Sequence, residues 1–147
     1  MKIKHTAVVV AALAYWLLGA LWYSPLLFAN QFITLMRWTP DELAALQAAG
    51  EWKVIAFALL NSLLLAYVLA HFVKYVGAET IGDGVKVGFW LWLGFVLTTN
   101  LETVLFESRP LGLYLISNGY HLVGFLCMGA VLAVWRRREV RGMAYQT

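Results

Sequence analysis

One cysteine, three prolines and a charged fraction of 13% set the first limits on this chain of 147 residues. Cys127 has no partner within the chain, which excludes an intrachain disulfide scaffold. So little charge excludes intrinsic disorder, which combines high charge with low hydrophobicity. The three histidines, His5, His71 and His121, form no His-x-x-x-His pair and fall at different depths, so no metal site is expected. Ser24 precedes Pro25 and has no base near it in sequence, which argues against nucleophilic catalysis. Glycine is clustered at Gly77–Gly84, but the Lys-Ser/Thr of a P-loop is missing, so the segment reads as a turn. No enzyme activity, cofactor or nucleic-acid partner is expected.

What the chain has in excess is apolar length. An ordinary soluble domain is roughly 45–50% apolar and about 25% charged. Here the apolar share is 62% and the mean hydropathy is +0.73. A bilayer core takes about 20 apolar residues per helix. Four segments qualify, at about 6–28, 54–76, 85–106 and 111–135. The expected fold is therefore an all-α integral membrane bundle of four transmembrane helices, with residues 1–147 forming a single membrane domain. The first segment resembles a signal peptide in its basic start. It is too long for one and carries bulky Tyr15, Trp16, Trp22 and Tyr23, so it is expected to be retained.

The basic residues are unevenly shared between the two sides of such a bundle. Lys2, Lys4, Lys74, Lys86, Arg136, Arg137, Arg138 and Arg141 fall on one side, and Arg37, Lys53 and Arg109 on the other. The positive-inside rule then places both termini in the cytoplasm, with a bacterial inner membrane as the expected location. Arg136, Arg137 and Arg138 suit anionic lipid headgroups, or serve simply as an orientation anchor.

In the outer connection, Thr39-Pro40-Asp41-Glu42 has the form of a capping box with proline at the first helical position. It predicts a short helix at about 40–49, stopped by Gly50, lying in the membrane interface as a cap or, alternatively, a substrate lid. Small residues at Ala58, Ser62, Ala66 and Ala70 give the second span one stripe along its length, and Gly84, Gly88, Gly129 and Ala133 mark contacts on the third and fourth. Such stripes serve packing within a chain or between copies, and a homo-oligomer is expected. Asn61 and Asn118 hold matching places in their spans, which leaves a duplicated two-helix hairpin open.

The polar residues inside the spans carry the functional question. Counted from the outer helix ends at 1.5 Å per residue, Ser24 and Glu102 lie about 6 Å deep, Asn100 about 9 Å, Asn61 and Asn118 about 10 Å, and His121 about 15 Å. Tyr114, Asn118 and His121 share one face of the fourth span. Two readings are open. In one, the asparagines and Tyr114 form a hydrogen-bonded clasp. In the other, Ser24, Asn61, Asn100, Glu102, Tyr114, Asn118 and His121 line a cavity for a small molecule, an ion or protons. The second reading includes a relay from Glu102 through Asn118 to His121, an imidazole being free to switch charge when water reaches it. A structural subunit that binds a partner and transports nothing is the alternative. Membrane lipid and further copies of the chain are the expected partners.

Trp22-Tyr23-Ser24-Pro25-Leu26-Leu27-Phe28 closes the first span, and Leu105-Phe106-Glu107 with Arg109-Pro110 leads into Leu113-Tyr114-Leu115-Ile116 and Asn118-Gly119-Tyr120. Together these resemble the pattern of a small bacterial membrane-protein family, domain-of-unknown-function family 1761. The resemblance runs from about Lys4 to Trp135. It implies the four-span layout and marks Trp22, Tyr23, Ser24, Pro25, Glu107 and Arg109 as its motif residues, without implying an activity.

Overall fold

The computed structural model describes residues 3–48 and 51–144, with side chains at 47, 51 and 138–144 outside the description. Every regular element among the described residues is helical: α1 (His5–Trp22), α2 (Ala29–Met36), α3 (Pro40–Ala48), α4 (Glu51–Val76), α5 (Ile81–Leu91), a π-helical stretch at Trp92–Leu97, α6 (Thr98–Leu105) and α7 (Leu111–Ala144). Four helices are long and apolar enough to cross a membrane: His5–Trp22, Trp52–Val76, Ile81–Leu105 and Leu111–Arg137. The third crosses as α5, the π stretch and α6 in one run. Lys4, Lys74, Lys86 and Arg136 all fall toward one end of the bundle, here called the basic end.

The helix ends differ from expectation where local chemistry intervenes. The first span stops at Trp22, not Phe28. Pro25 has no N–H and its ring bars the preceding turn, while the Ser24 hydroxyl donates to the Leu21 carbonyl at 2.7 Å. The chain then reverses through a turn in which the Phe28 N–H donates to Trp22 O and the Ala29 N–H to Ser24 O. It re-enters helix as α2, ahead of the one helix expected in this connection.

At the basic end, Gly77 at φ 79° ends α4. The Ala78 N–H donates to Val73 O and the Gly77 N–H to Lys74 O, the two bonds of a Schellman cap. The next helix starts at Ile81 rather than Val85, because Thr80 caps it. The Asp83 N–H donates to Thr80 Oγ1, which donates in turn to Asp83 Oδ2 at 2.6 Å. The glycine-rich turn thus shrinks to residues 77–80. The capping box at Thr39 forms as read, with the Thr39 N–H donating to Glu42 Oε2 at 2.8 Å. The expected stop at Gly50 lies outside the described residues.

The core lies toward the basic end. Ala7, Ala11 and Ala12 of α1 pack with Ala66, Leu69 and Val73 of α4 and Met128, Leu132 and Ala133 of α7. The small residues of the third and fourth spans meet within the chain. A Cβ at Gly84 would lie 2.1 Å from Gly129 O, and one at Gly88 2.3 Å from Phe125 O. The two backbones touch there, and only glycine allows it. The α4 stripe is used over part of its length: Ser62, Ala66 and Ala70 are buried, whereas Ala58 is exposed.

A polar clasp and an open cleft as the candidate functional site

The intramembrane polar residues divide into two assemblies. The first joins α7 to the third span. Asn118, buried, accepts from Asn100 Nδ2 at Oδ1 (3.2 Å) and donates from Nδ2 to Tyr114 O (2.9 Å). Its own backbone carbonyl accepts from the Trp92 indole N–H at 3.0 Å. The Tyr114 hydroxyl donates to Leu97 O at the end of the π stretch, 2.9 Å. Polar groups in hydrocarbon need partners, and here each side chain has one. This is the clasp, built from Asn100, Asn118 and Tyr114 as expected, with Trp92 added and Asn61 left out.

The second assembly lies where α1 and α4 part. On α1 the buried residues are Ala7, Val8, Ala11, Ala12 and Tyr15, with none beyond; on α4 they begin only at Ser62. The two helices therefore pack at the basic end and open toward the far end. The wedge between them, backed by α7, is a cleft of about 380 Å3. Its lining includes Tyr15, Trp16, Tyr23, Asn61, Tyr120 and His121.

Tyr15 forms the floor, 2% exposed. Its hydroxyl is hydrogen-bonded to His121 Nδ1 at 2.7 Å, and the Tyr120 hydroxyl donates to the Tyr15 carbonyl at 3.2 Å. The Tyr15 and Tyr120 rings stand 4.8 Å apart. Glycine makes this possible: a Cβ at Gly124 would lie 2.3 Å from the Tyr15 ring. Asn61 is exposed to the cleft and has no hydrogen-bond partner among the described residues. Asn61 lies nine residues into the span Trp52–Val76 and His121 ten into Leu111–Arg137, about 14 and 15 Å along their helices. The cleft thus carries its polar atoms at similar distances along their helices.

The relay from Glu102 through Asn118 to His121 is not assembled. Asn118 is engaged by the clasp, His121 by Tyr15, and Glu102 is exposed with no side-chain partner among the described residues. Asn61 and Asn118, matched in a duplicated hairpin, have opposite surroundings. Ser24 serves the helix end.

In the motif, the Trp22 indole donates to Ile116 O at 3.1 Å, and the Trp22 ring packs on Phe28 with centroids 4.9 Å apart. Trp22 therefore ties the end of the first span to the fourth. Glu107 and Arg109 form an exposed pair at 2.9 Å. Arg136 turns inward, donating to Ala78 O and pairing with Glu79 Oε1, both at 3.2 Å. Arg137 is exposed, and the Arg138 side chain lies outside the description. Among the described residues no group of His, Cys, Asp and Glu is arranged to hold a metal.

Tyr15, Trp16 and Tyr120 were not picked out as site residues. Tyr15 carried a signal nonetheless: a tyrosine in the middle of a span needs a partner for its hydroxyl.

No curated protein and no solved structure matches the chain. A family model does, the one described as protein of unknown function DUF1761, over residues 6–133. That match reaches into all four spans and covers both motif blocks, and the chain belongs to this family.

Proposed function

We propose that the protein is a multi-pass membrane protein, resident in a bacterial inner membrane, that binds a small molecule in the cleft between α1 and α4 and acts as its carrier or receptor. The observation that carries this reading is Asn61, a carboxamide well inside the span Trp52–Val76 that lines an open cleft and has no partner among the described residues. An unsatisfied amide in hydrocarbon is costly, and a bound molecule or water supplies its partner. The role assigned is non-catalytic. Beneath Tyr15 the bundle is closed by alanines and by Leu69, Met128 and Leu132, all 4% exposed or less except Ala7 at 6% and Ala70 at 7%. That favours a pocket over an open pore. The charge asymmetry supports cytoplasmic termini, so the cleft opens in the outer half of the bilayer.

Cysteine reactivity tests the cleft. In a Cys127→Ser background, Asn61→Cys is expected to react with membrane-permeant or impermeant maleimide far faster than Ala66→Cys on the sealed side of the same helix. Equal, slow rates at both positions would remove the cleft. For orientation, a reporter fused after Thr147 should score cytoplasmic and one inserted at Gln47 external.

A further inference from the structure

The cleft's lining says what kind of molecule it takes, and this step rests on the reading just given. We infer that its ligand is an uncharged, membrane-soluble amphiphile with a ring-sized head bearing hydrogen-bonding oxygen, which enters sideways between α1 and α4.

Charge is the first discriminator. No Asp, Glu, Lys or Arg lines the cleft. A cation would lose its hydration in the cleft without a countercharge, and an anion would find no cationic donor. Aromatic faces offset part of the cost for a cation, but only about 0.5–2 kcal/mol.

Shape is the second discriminator. Tyr15, Trp16, Tyr23 and Tyr120 bring four rings to a space of about 380 Å3, enough for a head group and too small for a whole lipid. Planar walls of this kind favour a planar, apolar ring.

The polar atoms are few and placed together. Asn61 offers two donors and an acceptor with no protein partner among the described residues. His121 spends Nδ1 on Tyr15 and keeps Nε2 as its second polar atom. Both residues line the same cleft, so one head group bearing oxygen can meet both. Entry follows from the lips. Ala20, Val54, Ile55 and Ala58 border the cleft, all but Ala20 on the exposed face of α4, and Val54 is 66% exposed. Apolar lips facing the bilayer admit a molecule already dissolved in it.

The test uses the full chain in lipid nanodiscs with two photoreactive probes of equal chain length, a diazirine alkylphenol and a diazirine alkyltrimethylammonium. The phenol should label peptides containing Trp16–Tyr23 and Val54–Ala58 saturably. Asn61→Leu and, separately, Trp16→Ala should each raise its half-saturation about tenfold, with the melting temperature in detergent held as the control for folding. Unlabelled ammonium should not compete. Competition and saturable labelling by the ammonium would overturn the ligand class while keeping the cleft. Half-saturation unchanged in both variants would place the phenol elsewhere and overturn the proposal. Absence of saturable phenol labelling would overturn it too. Reactive cysteine at position 61 would then mean an open cleft with another ligand, and unreactive cysteine no cleft at all.

Discussion

The α5–α7 contact and the far half of the α1–α4 contact are both made by helices of the same chain, yet they are built on opposite terms. Between α5 and α7, Gly84, Gly88 and Gly129 remove side chains altogether, and the backbones meet. Between α1 and α4, alanines do the same work from Ala7 to Ala12, but beyond Tyr15 the helices part, with Trp16, Tyr23 and Asn61 standing among the small residues Gly19, Ala20 and Ala58. In lipid no hydrophobic force draws helices together, so association follows packing and hydrogen bonds. Where small residues meet without bulky or polar neighbours, the bundle closes. Where Tyr15, Trp16 and Asn61 stand, it opens.

The sharpest way to break this contrast is to add side chains to both regions. Gly84→Leu or Gly129→Leu should cost at least the 1–3 kcal/mol of ordinary overpacking, roughly, because backbone rather than a flexible side chain must move. The readout is a large fall in melting temperature in detergent. Gly94, with nothing within 4 Å of an added Cβ, is the control. Gly94→Ala should cost nothing and gain up to about 1 kcal/mol. A tolerated Gly84→Leu would mean that the α5–α7 contact is not the closed one.

The next test sets the two asparagines against each other. Asn118→Leu leaves the Asn100 carboxamide without its partner, while the Trp92 indole keeps the backbone carbonyl at 118, and should destabilise by about 1–3 kcal/mol. Asn61→Leu should leave thermal stability unchanged or raised. Similar losses at both positions would merge clasp and cleft into one structural network. Tyr15→Phe is smaller, removing one hydrogen bond to His121, about 0.5–1.5 kcal/mol by the same thermal measurement. A null effect there would free His121 from its structural role.

The smallest effect lies outside the spans, at Glu42. The Thr39 backbone N–H, and then the Thr39 hydroxyl, hold its carboxyl below the ordinary value. A lowered folded-state value means that the cap's contribution is complete above the unfolded glutamate value, about 4.3. It is lost as pH falls through the folded value. Amide exchange at Glu42 and Leu43, corrected for intrinsic rate, should therefore accelerate only under acid. Glu42→Gln should flatten that dependence, and acceleration toward high pH would contradict the sign.

Apolar run length made the spans readable without coordinates, because the bilayer imposes a length on every crossing helix. Their ends were less readable. Pro25 and Thr80 act through local hydrogen bonds, and a hydropathy run does not register where a hydroxyl caps. The α3 capping box was legible for the opposite reason, since its partners are three residues apart. For the clasp, type and depth were enough to name Asn100, Asn118 and Tyr114. The cleft was half hidden: Asn61 and His121 stood out as polar, whereas Tyr15, Trp16 and Tyr120 look like ordinary aromatic residues of a membrane helix.

Composition, periodicity and nearest-neighbour chemistry were sufficient to establish a helical membrane protein of four spans, its charge asymmetry and its capped loop helix, because each depends on residues close together in the chain. The separation of the polar residues into a closed clasp and an open cleft depends on pairs such as Tyr15 with His121 and Asn100 with Asn118. Depth along each helix can be counted from sequence, but rotation about its axis cannot. That rotation, set by where Gly84, Gly124 and Gly129 let backbones and rings approach, turns Asn118 into the bundle and leaves Asn61 open in the cleft.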